Sequence, residues 1–184
     1  MDKKTIKSFL GFSERVIIAH FLTYFFVGGF FYFTGLNFLV YFENNPDSIA
    51  TVYMQHFRPL SSTWILAGPL FQLIRGLIFA LALFPFRRFF IERKWGWAYL
   101  WGLFLALAIF SPAGPSPGSI EGLVYTNLPV MLHLIALPEI LLQTLAFSWL
   151  VVTWEHHKGK KLTIPLAVVF IIILIMSILG VIMG

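Results

Sequence analysis

The sequence predicts an all-α, polytopic integral membrane helix bundle of about five transmembrane spans, and three observations carry that reading. Of 184 residues, 59% are apolar and only 11% charged, whereas a water-soluble surface needs roughly a quarter of its residues charged. The apolar residues come in runs long enough to cross about 30 Å of hydrocarbon as helices. Short basic clusters separate the runs: Lys3, Lys4, Lys7 and Arg15; Arg87, Arg88, Arg93 and Lys94; Lys158, Lys160 and Lys161. These eleven of the thirteen cations fall on one side of a five-span arrangement. Lys and Arg collect on the cytoplasmic face of a membrane, so the N terminus is expected inside and the C terminus outside. That placement, and not the net charge of +5, decides the partners. Membrane lipids are expected, with other membrane subunits or a second copy of the chain, and nucleic acid is not. The chain has no cysteine, which removes thiolate metal sites, and no cofactor is expected.

The whole chain, 1–184, reads as a single transmembrane domain. Residues 1–15, MDKKTIKSFLGFSER, set Ile6, Phe9, Leu10 and Ser13 at helical spacing with lysines opposite, the pattern of a helix lying among headgroups. The first span, 16–42, is rich in Phe. Its Gly28, Gly29 and Gly35 share a face with His20, Tyr24 and Tyr32, so a neighbouring helix is expected close against that face. Residues 43–62 begin polar, and Asp47 or Ser48 after Pro46 can cap an outer interfacial helix carrying Ile49, Val52, Tyr53 and Phe57 on one side. The second span, 63–86, places Gly68, Gln72, Arg75 and Gly76 on one stripe, which lipid cannot be expected to face. The third, 95–110, is short but extended by the interfacial aromatics Trp95, Trp97, Tyr99 and Trp101, with Gly102 and Ala106 as a small-residue packing face. Next comes a Pro/Gly-rich loop, 111–121. From Gly122 to Trp154 there are 33 residues, too many for one plain span and too few for two, so the fourth span is expected to be broken at Pro129 and Pro138. The last span, 162–184, accommodates Pro165 in its first turn. No internal repeat of the kind that builds inverted-repeat transporters is evident.

Arg75 is the most informative residue, because an arginine at the centre of a membrane helix costs about 2.5–3.5 kcal/mol or more unless paired or wet. Glu139 is the acid deep in another span. With Phe86 and Trp154 taken as the inner ends of their helices, Arg75 sits at ~16 Å and Glu139 at ~22 Å, a difference an arginine side chain can bridge. An Arg75–Glu139 pair is therefore expected, with Gln72 and Gln143 around it. His133, in the outer half of the fourth span, is expected as hydrogen-bonding lining. The loop residues Ser119 and Glu121 have two readings: a second polar site, or a helix cap with Ser119 at its start and Glu121 in the first turn. His20 and His133 lie at depths too different for a shared haem, and His156 and His157 diverge on a helix. The candidate binding residues are thus Arg75, Glu139, Gln72, Gln143, His133 and Glu121, with no catalytic or metal-ligating set.

The common catalytic signatures G-x-S-x-G, H-E-x-x-H and the P-loop are absent. The expected function is a midplane polar pocket that binds or passes a small solute or lipid headgroup in a prokaryotic-type plasma membrane, alone or as a subunit of a larger complex. The alternative is an enzyme acting on a lipid-linked, phosphate-containing substrate at the outer surface, through Glu121, His56 or His133, and Arg58. Two fragments, Pro59-Leu60-Ser61-Ser62-Thr63 and Pro117-Gly118-Ser119, are similar to pieces of the undecaprenyl-pyrophosphatase family, and that resemblance implies phosphate chemistry. The sequence departs from the family pattern at Trp64 and Ile65, where His is expected, and at Ile120, where Arg is.

Overall fold

The computed structural model of the chain describes residues 2–37, 40, 58, 62–110 and 114–183. The interfacial helix expected over 43–62, with Asp47, Ser48 and His56, lies outside the described residues except at Arg58 and Ser62. Among the described residues all regular structure is helical: α1 (Lys3–Phe33), α2 (Thr63–Leu66), α3 (Gly68–Leu83), α4 (Arg87–Ile91), α5 (Gly96–Ile109), α6 (Ile120–Tyr125), α7 (Val130–His156) and α8 (Lys160–Met183), with a 3-10 turn at Phe84–Phe86. Four stretches are long and apolar enough to cross a membrane: Lys3–Phe33, Gly68–Ile91, Val130–His156 and Lys160–Met183. The protein is therefore a multi-pass helical membrane protein. The apolar α5, with 14 residues, is about 21 Å long, short of a full crossing.

α1 begins where the Asp2 side chain accepts the Thr5 N–H at 2.7 Å and runs unbroken to Phe33. Residues 3–15, expected as a separate interfacial helix, are thus its first turns. The helix stops well before residue 42 because Gly35 takes a left-handed φ of +71°. That bend lets the N–H groups of Leu36 and Asn37 turn back to the Phe31 carbonyl at 3.0 and 2.9 Å, a glycine-terminated helix end.

α1 is the hub. α3 and α7 both run antiparallel to it, and the core they share is built from Phe12, Val16, Ala80, Leu100, Phe147 and Val151. Gly76 sets the α1–α3 spacing, since a Cβ there would lie 2.8 Å from the Ile17 Cα. Among the described residues, the glycines expected to mark close approach meet no neighbour. A Cβ on Gly28, Gly29 or Gly102 would meet nothing within 4 Å among the described residues, so that packing rests on Gly76 instead.

Between α6 and α7 Thr126 is extended and Pro129 caps α7. Pro138 lies inside α7, which continues through it. α8 attaches through few contacts: the Trp154 indole N–H donates to Thr163 Oγ1 at 2.9 Å, Phe170 meets Phe21 edge-on at 5.0 Å, and Ile173 is its one buried residue.

At one end of the bundle the basic clusters converge. Arg15 pairs with Glu155, which also holds Lys158 at 2.9 Å. Arg87 donates to Ser8 Oγ, and His156 Nε2 meets the Ile91 carbonyl at 2.6 Å. The N-terminal end of α1 is thereby tied to α4 and to the end of α7.

Candidate functional site: a cationic pocket midway along the bundle

The stripe on α3 faces α1 as its composition predicts. Gly76 lies on Ile17 and Gly68 lies beside the Tyr24 hydroxyl. Between them Gln72 Oε1 contacts His20 Nε2 at 3.0 Å, while Gln72 Nε2 donates to the Gly68 carbonyl at 3.2 Å. Because Gln72 presents an oxygen, His20 Nε2 is the donor and the neutral ring carries its lone pair on Nδ1. His20 is 5% exposed, and its Nδ1 is buried without a hydrogen-bond partner.

Arg75 precedes Gly76 and is carried to the edge of the tight interface, where its guanidinium lies over the Phe79 ring at 5.8 Å. It opens onto a pocket of about 270 Å³ between α1, α3, α5 and α7. The polar lining is His20, Arg75, Gln143 and Thr144. The wall is aromatic: Phe79, Phe104 and Phe147 contact one another at 5.2, 5.8 and 5.3 Å between centroids. The His20 ring stands edge-on to Phe79 and Phe147 at 4.9 and 5.4 Å. Gln143 is anchored to Thr23. With its amide turned to satisfy both ends, it donates to the Thr23 carbonyl at 2.8 Å and accepts from Thr23 Oγ1 at 3.3 Å. Chemically the pocket offers a cation, amide and hydroxyl dipoles, and the edge of an imidazole ring.

The expected Arg75–Glu139 pair is not formed. Among the described residues the ion pairs are those of Glu155, and Glu139 accepts instead from Asn37 Nδ2 at 3.0 Å, near the far end of α1. Helix register gives the reason. Gly76 packs on Ile17, whereas Gln143 meets Thr23 and Phe147 meets His20. Arg75 and Glu139 are therefore offset by about 15 Å along the bundle. Taking Phe86 and Trp154 as one common level was the error. Phe84 packs on Phe9 and Phe12, while Glu155 reaches only Arg15, so the α3 arm extends past the end of α7 by about two turns.

Of the remaining candidates, Gln143 lines the pocket and Gln72 stands behind it, holding His20. His133 belongs elsewhere: its Nδ1 accepts the Gly118 N–H at 3.1 Å. Gly118 has φ +82°, and a Cβ there would come within 2.7 Å of Ile140 Cδ1, so only glycine docks this turn on α7. Ser119 caps α6, accepting from the N–H groups of Gly122 and Ser116 at 2.9 and 3.1 Å and donating to the Ser116 carbonyl at 2.8 Å. Glu121 sits in the first turn of α6. The loop thus forms a helix cap fastened by His133. Arg58 lies over the Trp64 ring at 5.0 Å, and His56 is outside the described residues.

Sequence reasoning missed three features. His20 and Thr144 line the pocket, and Glu155 is a buried acid. A signal for the last was present, since Glu155 is the acid within the EHHKGKK cluster. The fold defines a class, the multi-pass helical membrane proteins, and in this one the exposed Arg75 borders a pocket between helices. Comparison with protein-family models, curated proteins and solved structures finds no match.

Proposed function

We propose that this protein binds or passes a small anionic solute or lipid headgroup in the pocket at Arg75, as a five-span protein of a prokaryotic plasma membrane with its N terminus inside. α5 serves as the short third span, and the basic end of the bundle lies in the cytoplasm. The observation that carries the reading is an arginine with no acidic partner among the described residues that lines a cavity together with a buried, half-satisfied histidine. A cation in a membrane interior is costly unless paired or wet, and an anion entering the pocket relieves that cost. The reading needs no counter-charge from Glu139.

The test is thermal unfolding of the purified chain in phosphatidylcholine nanodiscs, with inorganic phosphate or a minor fraction of phosphatidylglycerol added. At about 100-fold excess over Kd the anion should stabilise the wild type by about 2.7 kcal/mol and leave Arg75→Gln unmoved. Equal stabilisation of both proteins would rule the pocket out. Orientation is tested separately in this cysteine-free chain. Cysteine at Ser116 should be labelled from outside and cysteine at Gly159 should not; the reverse pattern would invert the topology.

A further inference from the structure

The Arg75 pocket does not end at its aromatic wall. A second cavity, of about 690 Å³, lies between α3, α4 and α5. Phe79, Phe104 and Leu107 line both cavities, so the two adjoin across those side chains. Their chemistry is opposite. All the polar groups, Arg75, His20, Gln143 and Thr144, belong to the first. The lining of the second consists wholly of aliphatic and phenylalanine side chains, and it runs from Leu107 at mid-bundle to Phe86, Phe89 and Phe90 near the basic end. A polar pocket and an apolar groove thus lie side by side, the pocket near the lower limit of small-molecule sites and the groove within their size range.

Resting on the anion-binding reading above, we propose that the ligand is a single-chain anionic amphiphile, with a carboxylate or phosphate head on Arg75 and one apolar chain in the phenylalanine-lined groove. Charge complementarity selects the head. A free inorganic anion would use the small cavity and leave the larger one without a role. Volume suits one chain: at roughly 30 Å³ per water-sized group, the groove holds on the order of twenty chain atoms. An acid head also suits Arg75, whose guanidinium can hold two oxygens of a carboxylate or phosphate at once. The rings of Phe79 and Phe104 form the collar where head and chain meet.

The experiment uses the full chain in phosphatidylcholine nanodiscs and a 16-carbon fatty acid with a diazirine at its terminal carbon. After photolysis, adducts are mapped by mass spectrometry. They should concentrate on Phe86, Phe89 and Phe90, fall at least fivefold in Arg75→Gln, and be competed by palmitate but not by an equal mole fraction of phosphatidylglycerol. Ala82→Phe is the second variant. Ala82 lines only the groove, so its enlargement should abolish the adducts while leaving phosphate-dependent stabilisation intact, and it serves if Arg75→Gln misfolds. Adducts as dense on Ile172 and Ile175 of α8 as in the groove, or competition by phosphatidylglycerol equal to that by palmitate, would overturn the amphiphile. If phosphate still stabilises the wild type in an Arg75-dependent way, the anion pocket survives that result. If it does not, both readings fall.

Discussion

Arg15 and Arg75 sit on two helices of one interface and meet opposite surroundings. Arg15 pairs with Glu155, whose side chain is 2% exposed and is shared with Lys158. Arg75 has a phenylalanine ring for company and a cavity in front of it. The first pair joins α1 to the end of α7 and leaves no room for a ligand. The second arginine forms no ion pair among the described residues. Among the described residues one arginine closes an ion pair and the other borders a cavity.

That contrast can be broken most sharply at Arg15. Arg15→Ala leaves a buried carboxylate with one lysine partner and should cost about 3 kcal/mol, read by denaturant unfolding in micelles; a cost below about 0.5 kcal/mol would make the pair ornamental and void the comparison. Next in size is Gly76→Val. Its side chain runs into the Ile17 backbone and should cost about 2 kcal/mol, and by parting α1 from α3 it should also weaken anion binding although it leaves Arg75 in place. A double-mutant cycle of Arg75→Gln with Glu139→Gln should be additive within about 0.5 kcal/mol, as for residues too far apart to interact. Coupling of 1 kcal/mol or more would restore the pair that the register separates.

The smallest expected effect lies at the start of α1. Hydrogen bonds from the Thr5 side chain and backbone N–H hold the Asp2 carboxyl below its usual 3.8. A depressed carboxyl contributes above its unfolded value and loses that contribution as pH falls through the folded one. Amide protection at Thr5 should therefore drop below about pH 3.8, and in Asp2→Asn the pH dependence should vanish.

Much of the architecture is legible in the chain because lipid admits so few solutions. An apolar run without backbone partners in the solvent must be helical, and of the polar and small stripe on α3, Gln72 and Gly76 are buried against α1 while Arg75 is exposed. Local chemistry was legible too: Ser119 caps α6, as its spacing to Gly122 requires. Glycine was misread for a physical reason. Gly28, Gly29 and Gly76 look alike in sequence, and only the arrival of Ile17 distinguishes one of them.

By itself the sequence determined the helical class, the long apolar helices and the presence of one cation among them, because each follows from composition and period along a single helix. The tertiary structure decided which acid reaches which arginine. Depth along one helix fixes nothing about its neighbour until packing sets the register, and here the α3 arm extends beyond α7 by about two turns. That offset separates Glu139 from Arg75, gives Glu155 to Arg15, and sets His20, Gln143 and Thr144 around the same pocket as Arg75.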